Sequence, residues 1–255
     1  MTESNSIQQP KKFKILLLGD DCIDIYQYGT VDRISPEAPV PVFKFEYEEQ
    51  KRGMAGNVKN NLESLGCDVD YLYNATSTKT RLIDKRSNQH IARIDNDVNA
   101  QPFEFVTAIP PIYDAIVISD YNKGSITYEL IEQLRKEFKG PIFVDTKKQY
   151  LDRFDGCIVK INELEYKNRY TVNDTLIVTL GSKGAMIVNG IEEKHFSAVE
   201  SQVVDVTGAG DTFLAALTYE YLRYSNLDKA IMFAIRASAV TVNHMGVYAP
   251  TLEEI

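Results

Sequence analysis

The sequence predicts an α/β protein: a mostly parallel sheet with helices on both faces, plus a small β-lid. Three observations predict it. From residue 115 onward, short apolar runs alternate with amphipathic helical stretches, the pattern of a sheet built from strand–helix–strand units. Polar residues follow the apolar runs directly: Asp20 and Asp24, Asp120 and Lys123, Asp145 and Lys147, Asn162 and Glu165, Gly181 and Lys183. In an open α/β sheet these strand ends share one edge, and ligands bind along it. Finally, residues 205–213 place two glycines around an alanine, then an aspartate, then an apolar helical pattern.

The first dozen residues are polar, and a loose tail is expected over 1–12, with no signal peptide. Residues 13–18 form a buried strand ending at Gly19-Asp20. Asp20, Asp21 and Asp24 follow at its carboxyl end, where acids bind a metal or polyol hydroxyls, or simply sit in a solvated loop. Residues 34–45 are proline-rich and then alternate through Val40, Val42, Phe43 and Phe45. Proline is confined to sheet edges, so an edge strand or projecting flap is expected. A charged stretch over 47–52 leads into Gly53-Met54-Ala55-Gly56-Asn57. A helix then runs to Leu65 on the stripe Val58, Leu62, Leu65, and Gly66 stops it. Asn57 reads as its cap or as a substrate-binding amide.

Residues 69–73 are a further strand. Residues 79–84 and 89–95 are two strands with Ser87-Asn88 at the turn, and their mixed charge suits a flap. Beyond residue 115 the expected order is regular. Strands at 115–118, 141–144, 157–159 and 176–180 are interleaved with a helix over 126–138. A hairpin then turns at Asn189-Gly190. One helix follows the 205–213 stretch, and an alanine-rich helix spans 227–243. There are no internal repeats and no low-complexity segments.

With 255 residues, 44% hydrophobic and 25% charged, the chain has the composition of a soluble globular protein. A net charge of −8 argues against sequence-independent nucleic-acid binding, although a local nest still binds phosphate in an acidic protein. Cys22, Cys67 and Cys157 lack CxxC spacing and read as reduced, buried residues of a cytoplasmic protein. His90, His195 and His244 are unclustered, which argues against zinc. No apolar run reaches the length of a membrane span.

Glycines before a helix let backbone N–H groups approach an anion, helped by the positive end of the helix dipole. A carboxylate beside such a nest repels phosphate. Asp211 therefore fits a group that draws a proton from an attacking hydroxyl. The same residues also fit a plain helix start capped by Thr207 and Asp211.

Residues 205–213 resemble the second signature of the ribokinase-like (PfkB) carbohydrate kinases, Asp-Thr-x-Gly-Ala-Gly-Asp, with Val206 at the first threonine position. Asn162-x-x-Glu165 resembles that family's metal-associated motif. Gly53 to Asn57 resembles its Gly-Gly signature, with Met54 at the second glycine. The chain resembles most the branch acting on D-glycero-β-D-manno-heptose 7-phosphate in lipopolysaccharide precursor synthesis. The supporting blocks are Gly19-Asp20 with Asp24 and Tyr26, Arg33-Ile-Ser-Pro-Glu-Ala-Pro-Val-Pro-Val42, Thr78-Lys79-Thr80-Arg81, Ser119-Asp-Tyr-Asn-Lys-Gly124 and Val144-Asp-Thr-Lys147. The resemblance implies a shortened form: residues 69–73 run almost directly into Thr76, where relatives carry a further helix–strand–helix stretch, and the nucleotidyltransferase domain fused in some relatives is not expected.

The resemblance implies one ribokinase-like kinase domain over 13–255, with β-lid segments about 26–50 and 79–97. It implies ATP and Mg²⁺ as cofactors and a sugar-phosphate hydroxyl as acceptor. Asp211 would be the general base, with Gly208, Ala209 and Gly210 offering N–H groups to the transferred phosphoryl. Asn162 and Glu165 would hold the metal. Asp24, Gly53 and Asn57 would bind sugar hydroxyls, and Lys79, Arg81, Lys123 and Lys147 are candidates for the distal phosphate. Thr179, Gly181, Lys183, Gly184 and Asn243 would line the nucleotide site. There is no Gly-x-x-x-x-Gly-Lys-Ser/Thr loop and no Gly-x-Gly-x-x-Gly after the first strand. An exposed lid strand invites pairing with a second copy, so a homodimer is expected. The competing expectations are a kinase of the same fold acting on another sugar or nucleoside, and a non-catalytic sugar- or nucleotide-binding remnant.

Overall fold

Alternate residues of a strand point to opposite faces, and β1 (Lys14–Gly19) splits its side chains accordingly. Ile15 and Leu17 join the core on one face of the sheet, and Leu16 and Leu18 join the core on the other. All four are buried, and each contributes roughly 1.5–3 kcal/mol by leaving water. A strand that is apolar on both faces requires helices on both sides.

The computed structural model describes residues 12–104 and 109–255. Apart from Lys12, the tail expected over 1–12 lies outside the described residues. After β1 come β2 (Asp21–Ile34), β3 (Pro41–Met54), α1 (Ala55–Ser64), β4 (Asp68–Leu72), β5 (Thr76–Asp84) and β6 (Gln89–Asn96). The second part comprises β7 (Ala115–Asp120), α2 (Tyr128–Glu137), β8 (Ile142–Thr146), β9 (Ile158–Asn162), α3 (Glu163–Asn168) and β10 (Leu176–Thr179). The hairpin β11 (Ala185–Asn189) and β12 (Glu192–Phe196) and the helices α4 (Ala209–Tyr224) and α5 (Leu227–Thr241) follow.

The large sheet runs β12-β11-β10-β9-β8-β7-β1-β4. Neighbours from β4 to β10 pair in parallel, and only the terminal hairpin is antiparallel. One face packs on α1, α4 and α5 through Val58, Leu62, Phe213, Leu217 and Ile231. The opposite face packs on α2 through Leu130, Ile131 and Leu134. The chain leaves β1 for β4 on one side and resumes at β7 on the other. The ligand crevice of such a sheet lies where that reversal occurs, outside the carboxyl ends of β1 and β7. Backbones meet closely there. A Cβ on Gly19 would lie 2.5 Å from the Ser119 carbonyl oxygen and 2.6 Å from the Ala55 Cβ.

A second, four-stranded sheet runs β3-β2-β5-β6. Strands β2 and β3 are longer than the sequence pattern predicts. The acids Asp21 and Asp24, expected in a loop after β1, belong to β2, and the charged stretch 47–52 is the second half of β3. Asp21 is buried and accepts hydrogen bonds from Arg52 (2.6 Å), Tyr71 (2.8 Å) and Thr76 (2.8 Å). It ties the roots of β2, β3 and β5 together where the second sheet leaves the body. The strand β3 runs straight into α1 at Met54, whose backbone (φ 49°, ψ −133°) is of a kind that favours glycine. That is the position where the family signature has its second glycine, so the turn keeps its shape at some cost in strain.

Candidate active site

Asp211 is the third residue of α4 and is 5% exposed. Gly208 precedes the helix with φ 81°, a left-handed conformation, and no side chain caps it. The capping roles open to Thr207 and Asp211 are therefore not taken up. Thr207 instead bonds to Asp205, donating from both N–H and Oγ1. A Cβ on Gly208 would meet the Asn57 amide nitrogen at 2.7 Å, and one on Gly210 would meet Lys160 Nζ at 3.0 Å. Both glycines keep the backbone bare where side chains of other elements converge.

Each Asp211 oxygen has a donor. Asn57 Nδ2 donates to Oδ2 at 2.9 Å, and the Tyr121 hydroxyl donates to Oδ1 at 3.0 Å. Asn57 is thus not a helix cap. It lies inside α1, turned onto the carboxylate. A buried polar ladder holds it. Asn61 Nδ2 donates to the Asn57 Oδ1 (3.2 Å), Thr212 Oγ1 to Asn61 Oδ1 (2.8 Å), and Thr241 Oγ1 to Thr212 Oγ1 (2.9 Å). These bonds link α1, α4 and α5 at the root of the aspartate. Burial pushes the Asp211 carboxyl up to about 6. The Asn57 hydrogen bond pulls it back, the Asp145 charge adds to the rise, and Lys160 and Tyr121 oppose it.

A cavity of about 510 Å³ opens in front of Asp211. Its walls are strand ends: Tyr121 after β7, Asp145 and Lys147 at β8, Lys160 and Asn162 on β9, and Thr179 and Gly181 at β10. Gly208 and Gly210 close it. A second, mainly apolar cavity of about 620 Å³ adjoins it, sharing Thr179, Gly181, Val206 and Gly210. Phe213, Ile235, Ala239 and Val242 floor this second space, and Gly184 lies on its rim. The first turn of α4 thus divides a polar chamber from an apolar one.

Asn162 and Glu165 form a reciprocal capping box on α3: Glu165 N–H donates to Asn162 Oδ1 and Asn162 N–H to Glu165 Oε2, both at 2.8 Å. The other Glu165 oxygen pairs with Lys147 at 2.8 Å. Asp24 pairs with Arg81 at 2.6 Å, and both are buried. A Cβ on Gly53 would strike Asp24 Oδ2 at 2.3 Å, so the carboxylate lies against bare backbone. Lys79 and Lys147 both lie against the Tyr121 ring, with Nζ 5.9 and 5.0 Å from its centre. Lys123 pairs with Asp97 at 2.6 Å. Of the residues expected in the site, Asp24, Gly53, Asn57, Lys79, Arg81, Lys123, Lys183 and Asn243 line neither cavity. Ala209 is at the start of α4, but its N–H already donates to the Val206 carbonyl at 3.3 Å.

Reasoning from sequence missed Lys160, Tyr121 and the ladder residues Asn61, Thr212 and Thr241 as parts of the site. Lys160 is 4% exposed and pairs with Asp145 at 2.7 Å. Its signal was a lysine inside the apolar run Ile158-Val159-Lys160-Ile161. The ladder left no signal, because its partners stand as far as 151 residues apart. Among the described residues, no group of three or more histidine, cysteine or acidic side chains is arranged to hold a metal ion. Among the same residues, no helix is long and apolar enough to cross a membrane.

The model of the pfkB family of carbohydrate kinases matches residues 160–254. The chain is 34% identical, over an alignment spanning 301 positions, to the bifunctional protein HldE of a Nitratiruptor species, and the alignment covers 96% of this chain. It spans 64% of that relative's length. The fold is that of the ribokinase from Thermotoga maritima (TM-score 0.71, 19% identity, 95% of this chain and 97% of that one). It is likewise that of an Arabidopsis thaliana ribokinase complexed with ribose and ATP (TM-score 0.66, 15% identity, 96% of each chain).

Proposed function

The chain belongs to the pfkB family of carbohydrate kinases, and from that premise we propose that it transfers the γ-phosphoryl group of ATP to a hydroxyl of a sugar phosphate. The acceptor proposed is D-glycero-β-D-manno-heptose 7-phosphate, and the product heptose 1,7-bisphosphate. The observation that carries this reading is the buried Asp211 carboxylate, fixed by two donors beside a bare helix start between a polar and an apolar cavity.

In this reading the adenine end of ATP occupies the apolar cavity, and its phosphates run past Gly181 and the first turn of α4. The acceptor enters from the second sheet, with its hydroxyls toward Asp24, Gly53 and Asn57. The second sheet acts as a lid over it. Asp211 takes the proton of the attacking hydroxyl. The N–H groups around Gly208 and Gly210, with the Lys160 ammonium beside Gly210, face the charge that spreads over the transferred phosphoryl. Lys79 and Lys147, drawn to one aromatic ring from opposite sheets, are placed for the acceptor's distal phosphate.

Asn162 and Glu165 offer oxygen donors only, at the wall of the polar cavity, and this suits Mg²⁺, which keeps most of its waters. When bound there, Mg²⁺ would neutralise phosphate charge on ATP. The open outer strands β3 and β6 expose Phe45, Tyr47 and Ile94, and a homodimer through this sheet is part of the proposal. Light scattering is expected to give twice the chain mass. A value of one chain mass would remove that part. The enzyme is proposed to work in the cytoplasm.

The base must be ionised to act. With its carboxyl at about 6, kcat/KM is expected to climb as pH rises through about 6 and to level off above it. ADP release with heptose 7-phosphate and with unphosphorylated hexoses, followed across pH, checks both points. A rate independent of pH through that range would contradict the assignment of Asp211. Turnover on hexoses alone would keep the chemistry and change the acceptor.

A further inference from the structure

The loop that carries Tyr121 is anchored at both ends by buried carboxylates. Asp20 accepts the N–H groups of Tyr121 (2.9 Å) and Lys123 (3.1 Å) and the Ser125 hydroxyl (2.6 Å). Asp120 accepts the Asn122 N–H (2.9 Å), the Thr146 hydroxyl (2.7 Å) and the Lys148 ammonium (2.8 Å). Asp20 and Asp120 are at most 2% exposed. Two buried acids, with their desolvation cost, hold a single short loop. The ring between them is held in turn, with Lys147 from the body and Lys79 from the second sheet beside it. All of this rigidity ends at one hydroxyl, which donates to Asp211 Oδ1 at 3.0 Å.

The geometry points to Tyr121 as a positioning residue for the base: its hydroxyl fixes the Asp211 carboxylate opposite the Asn57 amide. This rests on the assignment of Asp211 as general base. Held at Oδ1 by Tyr121 and at Oδ2 by Asn57, the carboxylate cannot rotate, and each oxygen retains a lone pair for the incoming hydroxyl. A hydrogen bond to the charged form favours that form. It opposes the burial and the Asp145 charge that push Asp211 toward protonation. The charged groups that face Asp211 are Asp145 and Lys147 at β8 and Lys160 on β9. Of these, Lys160 pairs with Asp145 and Lys147 with Glu165. Tyr121 itself stays protonated, because burial and then the Asp211 charge raise its own pKa well above the ordinary tyrosine value. It is thus a permanent donor.

The test is Tyr121→Phe in the full chain, which keeps the ring between its lysines and removes only the hydroxyl. Aspartate carboxyls are labelled with carbon-13 and titrated by NMR, with Asp211→Asn used to assign the Asp211 resonance. The Asp211 midpoint is expected to rise in Tyr121→Phe, with about a tenfold change in the ionisation constant. Turnover on heptose 7-phosphate should fall about fivefold at the wild-type midpoint, approach about a tenfold loss below it and recover at higher pH, with KM for the acceptor unchanged. The same midpoint in both proteins, or a loss of kcat equal at every pH, would overturn the role given to Tyr121. The titration decides this without turnover. Wild-type protein that phosphorylates no sugar would count against the proposed function alone.

Discussion

Asp211→Asn is expected to lower the rate of phosphoryl transfer by about a thousandfold or more while ATP still binds. General-base catalysis by a positioned side chain is worth typically about 10²–10⁴, and Asp211 is the only acid at the start of α4. The amide keeps the size of the carboxylate, so the cavity and the first turn of α4 are preserved. The variant should also be more stable. The carboxyl titrates at about 6 in the fold against roughly 3.9 in an unfolded chain. Between these values the folded state binds the extra proton, so this group favours folding fully below the unfolded value. That contribution is lost as pH rises through about 6. At neutral pH the buried charge is a net cost on the order of 3 kcal/mol. Asparagine removes it. Calorimetry should show a higher Tm for the variant at neutral pH, and the gain should vanish toward pH about 4. Near wild-type turnover in Asp211→Asn would dismiss it as the base.

The second large effect is expected at Lys160. Its ammonium is buried and lies 2.7 Å from Asp145, whose side chain is 15% exposed. Lys160→Met leaves Asp145 buried without its partner, and loss of one member of such a pair costs about 3 kcal/mol. Burial already raises the Asp145 pKa, and Lys160 is the main opposing influence. The destabilisation should therefore shrink as pH falls and Asp145 takes up a proton. Restoring neutrality with Asp145→Asn in the same chain should recover much of the lost stability. Turnover should drop by about a hundredfold in Lys160→Met, because the charge beside Gly210 is gone. Urea unfolding of the two single variants and the double variant measures the coupling. A double variant as unstable as the sum of the singles would show that the pair is not coupled.

Much of this arrangement was legible in the sequence. The parallel strands were readable because they are apolar on both faces, and the polar residues after them marked the functional edge. Residues 205–213 pointed to Asp211 as the proposed base, and of the two roles open to Asn57 the structure removes the helix cap. The second sheet was harder. Strands β2 and β3 carry acids and lysines through Asp21, Asp24 and 47–52, residues that are uncommon in strands. Both faces of β3 are open to water over residues 44–50, so no clean alternation marks it. Gly29 interrupts β2 at a bulge, where a Cβ would lie 2.2 Å from the Lys44 carbonyl oxygen. The partners of the buried acids are distant in sequence. Asp21 meets Arg52 and Thr76, and Asp24 meets Arg81. No local pattern announces such pairings. The same holds for Tyr121, whose hydroxyl reaches a carboxylate 90 residues away. Its loop was recognisable as a block, but its aim was not.

Phosphoryl transfer to a phosphorylated sugar is proposed to take place at the Asp211 cleft. The most direct measurement is the phosphorus-31 spectrum of the full chain with ATP, Mg²⁺ and D-glycero-β-D-manno-heptose 7-phosphate. The ATP γ-phosphate signal is expected to disappear, with ADP and a new sugar phosphate ester appearing together, and neither change is expected in Asp211→Asn. An unchanged ATP spectrum with the wild-type chain, or equal conversion by Asp211→Asn, would contradict the proposal.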